Sequence, residues 1–176
     1  MFLILNVPNI AVIILVLIAA IIDIRFRRIP NYLTLSGWGI GLMYHVVTGG
    51  LDGLMFSSAG IVLGICLLLF FYLLGGVGAA DVKLMGAIGA FLGWKGVFHA
   101  FLFSAVIGGL YSVAAMAEAG VLRKILKNIL ETFKGFILAN SISYEPVNRN
   151  LKICYGLPIA LGTILSLWLG DRVFQF

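Results

Sequence analysis

Charge is scarce in this chain. Lys, Arg, Asp and Glu make up 11% of its 176 residues, and only seven residues are acidic. Soluble domains carry about 25% charged residues. With 62% hydrophobic residues and a mean hydropathy of +1.13, the composition excludes the soluble globular class and reads as a polytopic membrane protein. Cysteine is nearly absent. Cys66 and Cys154 both lie in apolar runs and form no CxxC, which argues against a zinc site or redox pair and leaves two small buried apolar residues as the expectation. His45 and His99 are isolated and lack metal-ligand spacing, so both read as structural. Ser104 has no GxSxG setting, and no phosphate-binding loop occurs. No metal or organic cofactor is implied. The N-terminus lacks the basic region and cleavage site of a signal peptide, so Met1–Ile22 reads as a retained first span. No long repeat or low-complexity stretch is evident.

What is present is a series of apolar runs. A spanning helix takes about 20 apolar residues, and six segments can be drawn. They are Leu3–Ile22, Tyr32–Thr48, Leu54–Leu74, Val82–Trp94, Val97–Ala117 and Ile153–Leu169. The fourth is short: Asp81 to Trp94 would extend only about 21 Å as helix, against a hydrocarbon core of about 30 Å. Its small residues Gly86, Ala87, Gly89, Ala90 and Gly93 permit close helix contact, with Gly89 and Gly93 a small-xxx-small pair. Burial inside the bundle is the expected solution. Trp38, Trp94 and Trp168 read as packing or interfacial anchors.

The formal charge of +5 invites a nucleic-acid reading, but its distribution favours another. If the Arg25, Arg27, Arg28 turn is cytoplasmic, alternation of sides puts Lys83, Arg123, Lys124, Lys127, Lys134, Arg149 and Lys152 there too. Of the twelve Lys and Arg residues, only Lys95 and Arg172 then fall outside. That is the positive-inside bias, and it predicts six spans with both termini outside. Between the fifth and sixth spans, Leu122, Ile125, Leu126, Ile129, Leu130, Phe133, Phe136 and Ile137 recur at helical spacing. Lys124, Lys127, Asn128, Glu131 and Lys134 take the other face. This predicts a basic amphipathic helix over Gly120–Ala139, lying in the cytoplasmic interface against membrane lipids. The polar tract Asn140–Asn150 reads as loop. The expected fold is all-α: one membrane-embedded domain over 1–176, with about six transmembrane helices and this interfacial helix.

Two of the few acidic residues stand at membrane boundaries, where a carboxylate is costly and a functional candidate by default. Asp23 ends the first span and precedes Ile24-Arg25-Phe26-Arg27-Arg28-Ile29-Pro30-Asn31. The proline stops a helix continuing cleanly, and Asn31 is placed to cap the next. Asp81 ends the stretch Gly75-Gly76-Val77-Gly78-Ala79-Ala80 and opens the fourth segment. Gly75, Gly76 and Gly78 free the backbone and leave room for another chain to approach. Each aspartate has a plainer explanation: Asp23 as an acid paired with neighbouring arginines, Asp81 as a helix cap. The charge-based topology puts both at similar depth on one side. There they can hold one water and share one proton, the requirement of aspartyl-protease chemistry. Lys83, a turn or less from Asp81, reads as a cation for a substrate's acidic group or a lipid phosphate, or as a residue snorkelling to the interface.

These segments together resemble a family. Asp23 followed by Arg-x-Arg-Arg-Ile-Pro-Asn, then Gly75-Gly-Val-Gly-Ala-Ala-Asp-Val-Lys-Leu-Met-Gly-Ala-Ile-Gly-Ala-Phe-Leu-Gly93, looks like the type IV prepilin peptidases, membrane aspartyl proteases of the GxGD type. Tyr155-Gly156-Leu157-Pro158-Ile159-Ala160-Leu161-Gly162 resembles their last span. The likeness covers nearly the whole chain, in order. It implies that Asp23 and Asp81 are the two catalytic aspartates. Gly75, Gly76, Gly78, Ala80 and Lys83 are then motif or substrate-binding support. It also implies prepilin-like substrates with short basic leaders, cut at the cytoplasmic face of the inner membrane. Ala80 stands where the bacterial motif has glycine; the preflagellin branch is similar in having a hydrophobic residue there. The bifunctional members carry a cytoplasmic segment with paired CxxC motifs and N-methylate the product. This sequence lacks that segment and resembles the short, peptidase-only members.

Two other functions use the same residues. A small proton-coupled transporter would relay protons through the paired carboxylates, but transporters often show inverted repeats and none is found. A catalytically silent member, acting as an assembly or binding factor, draws its support from Ala80.

Overall fold

A computed structural model of the chain describes residues 6–118 and 154–173. Among them the regular elements are all helices: α1 (Val7–Phe26), α2 (Asn31–Leu73), α3 (Ala79–Glu118) and α4 (Gly156–Val173). The amphipathic stretch Gly120–Ala139 and the tract Asn140–Asn150 lie outside the described residues. Met1–Gly108 and Cys154–Phe176 make one compact unit, and Gly109–Ile153 makes another. Of the second, the described part is the end of α3, where Leu110 and Val113 are exposed. All features below belong to the first unit.

α1, α2 and α3 are long and apolar enough to cross a membrane. α2 covers two of the expected spans and α3 two more, yet neither is straight. Gly50 (φ 57°, ψ −131°) interrupts α2 and Gly93 (φ 67°, ψ −172°) interrupts α3. Both conformations are closed to other residues without strain. The chain folds back at each. A Cβ on Gly53 would collide with the His45 carbonyl oxygen, although residues eight apart in a straight helix are about 12 Å apart. Likewise Gly64 lies against both Met85 and Val97, which a straight α3 would hold about 18 Å apart. Each of these helices is therefore two antiparallel arms joined at one glycine, in place of the longer connection drawn at 49–53.

The first arm of α3 is the centre of the bundle. From Asp81 to Gly93 every residue but Lys83 and Leu92 is buried, as its shortness and small residues implied. It lies between the two arms of α2. On one side Trp38 covers Gly86, and Gly41 meets Ala90; on the other, Gly60 meets the backbone of Gly89. Lipid offers no hydrophobic drive between helices, so close backbone approach and hydrogen bonds hold such a packing. The bonds are there: Ser57 Oγ to the Ala90 carbonyl at 2.8 Å, Trp38 Nε1 to the Lys83 carbonyl at 2.9 Å, and His45 Nε2 with the Phe91 carbonyl at 2.9 Å. His45 is thus the structural histidine expected.

Around this arm, Val12, Val16 and Ala19 of α1 and Ile159 and Ala160 of α4 complete the core. α1 packs on α4 and on α2. Large apolar side chains instead cover the outside, Val47, Leu51 and Leu73 among them. Cys66 is one of these outward residues and Cys154 is half-buried; both are free thiols. The expectation that both are buried fails because hydropathy cannot separate a lipid-facing from a core-facing side of a membrane helix.

Candidate active site

The site is built where five helix ends meet. α1 ends at Phe26; Arg27, at φ 52°, closes it with its N–H on the Asp23 carbonyl at 2.7 Å. Asp23 is therefore not past the helix end at Ile22 but inside α1, a turn before its close. α2 begins after Pro30, and Asn31 is its first residue rather than its cap. The Asn31 Oδ1 accepts instead from Lys83 Nζ at 2.9 Å, tying the start of α2 to α3. Lys83 is thus engaged by an amide oxygen, away from the carboxylates.

The glycines divide their work. Gly75, at φ 76°, ends α2: its N–H goes to the Tyr72 carbonyl at 2.9 Å, and that of Gly76 to the Phe71 carbonyl at 3.0 Å. This pair of bonds is the Schellman termination of a helix. Gly78 precedes α3 and exchanges bonds with Asp81. The Asp81 N–H donates to the Gly78 carbonyl at 3.1 Å, and the Gly78 N–H donates to Asp81 Oδ2 at 3.1 Å. The second of these bonds is one half of a capping box, the half in which the third helical residue reaches back to the cap N–H, so the cap reading of Asp81 is correct as far as it goes. Ala80, half-buried in the first turn of α3, packs against the core.

Asp23 Oδ2 accepts a bond from the Gly156 N–H at 2.9 Å, at the opening of α4. Asp23 and Asp81 are 7% and 8% exposed, and the Asp23 carboxylate lies close enough to act electrostatically on Asp81. The structure brings together the two aspartates from the ends of different helices, each with Oδ2 held by a backbone N–H at a helix start. Among the described residues no other hydrogen bond reaches either carboxylate. The bonds described fall on Oδ2 of each carboxylate. Among the described residues no group of three or more His, Cys, Asp or Glu gathers as a metal site would require.

Comparisons with known proteins place the chain in a family. Residues 10–113 match the type IV leader peptidase family. The chain belongs to that family. A curated relative from Bacillus subtilis (strain 168), a prepilin leader peptidase/N-methyltransferase, is 34% identical over 172 residues, covering 96% of this chain and 58% of the relative. A protein of the same description from Aeromonas salmonicida (strain A449) is 32% identical over 99 residues, 52% of this chain and 34% of its own. The chain thus spans a little over half the length of the first relative and a third of the second. No solved structure matches. Both aspartates lie inside the part matched by the leader peptidase family. Gly156 lies beyond it, and sequence reasoning gave Gly156 no role. The only signal was the Tyr155–Gly162 motif, which carries likeness to the family but no hint of its partner 133 residues away.

Proposed function

We propose that this leader peptidase is an aspartyl endopeptidase that removes the short basic leader of prepilin-like proteins at the cytoplasmic face of the inner membrane, with the whole chain acting as one peptidase domain. A prepilin-processing role follows from the family; the aspartyl mechanism is inferred from the site. The observation that carries it is the pair of buried carboxylates, Asp23 and Asp81, each held through Oδ2 by a backbone N–H at a helix start, with Asp23 near enough to act electrostatically on Asp81.

The chemistry needs one proton between them. The ionised carboxylate takes a proton from water as the water oxygen attacks the scissile carbonyl carbon. The other carboxylic acid donates its proton to the carbonyl oxygen. Collapse of the tetrahedral intermediate returns that proton to the second aspartate and passes the first to the leaving amine. The backbone bonds on Oδ2 fix both side chains, so each presents Oδ1 without reorganising. The arms made by the breaks at Gly50 and Gly93 support six spans; the interfacial helix over Gly120–Ala139 is proposed from its sequence pattern alone.

The test is cleavage of a full-length prepilin by purified protein in lipid. Asp23→Asn and Asp81→Asn should each lower the rate at least about a thousandfold while inserting and folding normally. A folded variant of either kind that cuts at near wild-type rate ends the assignment. The transporter reading predicts instead that proteoliposomes move protons and leave the prepilin intact.

A further inference from the structure

Asp23 is held from two sides. Its backbone is fixed by the closing turn of α1 at Arg27. Its side chain is fixed by a residue from the far end of the chain. Gly156 opens α4, and its N–H donates to Asp23 Oδ2 at 2.9 Å in a buried bond. An N–H in the first turn of a helix has no partner within that helix, so the carboxylate and the amide satisfy each other.

The space between them allows nothing larger. A Cβ on Gly156 would stand 2.8 Å from Asp23 Oδ2, 2.9 Å from its Cβ and 3.2 Å from its Cγ. Carbon atoms pack best about 3.5–4.0 Å apart. Any side chain at 156 therefore displaces the carboxylate or the helix. The helix is not free to move. Gly162, two turns on, lies directly against the backbone of Ser104 in α3, and Ser104 Oγ donates to the Ile159 carbonyl at 3.4 Å. The donor is thus placed by a rigid, packed element, which is what precise positioning of a reacting group requires. At Gly78 the fit on Asp81 is looser, with a Cβ 3.1 Å from Oδ2, and that bond is local to one turn.

We infer that Gly156 is a positioning residue for the cleavage proposed above: its N–H and its missing side chain set where the Asp23 carboxylate stands. The inference rests on the two-aspartate reading. The leader peptidase match ends at residue 113, so it assigns no role to α4. On this view α4 is not only a packing helix but the part that completes the site, and Oδ1 of Asp23 is the oxygen that meets the water.

The experiment uses the full chain in lipid. Gly156→Ala should lower kcat about a hundredfold, the scale set by a carboxylate about 1 Å out of place, with KM within about twofold. Its pH–rate profile should be displaced, which a packing defect alone would not do. Gly39→Ala, in open space on α2, is the control and should leave both constants unchanged. If Gly156→Ala does not fold, two measurements still decide. Placed in Asp23→Gly protein, the same alanine should recover the lost thermal midpoint, because the Oδ2, Cγ and Cβ atoms it would strike are all gone. In glycine-labelled wild-type protein, the Gly156 amide resonance should move on Asp23→Ala. Cleavage by Gly156→Ala within about threefold of wild type overturns the inference. So does an equal loss of stability in both backgrounds, or an unmoved resonance. If Asp23→Asn is inactive while Gly156→Ala is active, only the positioning role falls; if Asp23→Asn is active, the two-aspartate reading falls with it.

Discussion

A carboxylate that caps a helix and one that activates water place different demands on the same atoms, and the role proposed for Asp81 combines the two. The capping bond uses Oδ2, and catalysis needs only one oxygen to stay available. Asn at position 81 can still accept that bond through its amide oxygen, so Asp81→Asn should cost at most about 1 kcal/mol of stability while cleavage is lost. The double Asn variant should be no worse than either single one, because groups acting on one water are not additive. Rate should fall on both sides of an optimum pH, since the step needs one carboxylate ionised and the other protonated. The apparent constants of that bell belong to the pair. A single-limbed profile would count against a shared proton. Ala80 is a milder case. It packs against the core, so Ala80→Gly should cost at most about 1 kcal/mol and change cleavage no more than about threefold. A gain above about tenfold on restoring glycine would favour the silent-member reading.

At the level of helices, backbone contact decides what each position tolerates. Gly60 and Gly89 face each other so closely that a Cβ on either would collide with the other's carbonyl oxygen. Gly60→Ala or Gly89→Ala should therefore destabilise by about 1–3 kcal/mol or more, the usual cost of overpacking. Thermal unfolding in detergent would show it, with Gly39→Ala unchanged or slightly stabilised by helix propensity. An alanine at 60 or 89 that leaves the midpoint unmoved would contradict the contact. Hydropathy was enough to find these helices, and the small residues of Val82–Trp94 were enough to bury that arm. The folds at Gly50 and Gly93 were harder to place, because a single glycine at positive φ leaves no polar gap in the sequence. The outward turn of Cys66 was illegible for a related reason: lipid and core are both apolar. In the site, Asp23 and Asp81 stood out as rare acids at boundaries. The engagement of Asn31 by Lys83 did not, since Asn beside Pro reads equally as a cap. The partner of Asp23 is so distant in sequence that only the packing of α4 reveals it.

For the molecule as a whole, the folds at Gly50 and Gly93 put the site at one end. The close of α1, both ends of α2, the start of α3 and the start of α4 gather there, joined by the Asp23–Gly156 and Lys83–Asn31 bonds. The two folds lie at the other end, linked through the Phe56 ring, which meets both His45 and Gly93. Arg25, Arg27, Arg28 and Lys83 are at the site end; Lys95, just past the fold at Gly93, sits 5.4 Å from the Trp94 ring at the other. Cationic residues are retained on the cytoplasmic side during insertion, so this distribution predicts which way the site faces. The check is thiol labelling of intact cells with a membrane-impermeant reagent. Cys66 and Cys154 are first replaced by serine, because Cys66 is exposed. Arg27→Cys and Ala79→Cys should react only after the membrane is opened. Leu51→Cys and Lys95→Cys should react from outside in intact cells. If Arg27→Cys and Ala79→Cys react from opposite sides, the two aspartates cannot share a water in the membrane. If both react from outside, the pair survives but the cytoplasmic cleavage does not, because a leader still attached to its ribosomal side would never reach it.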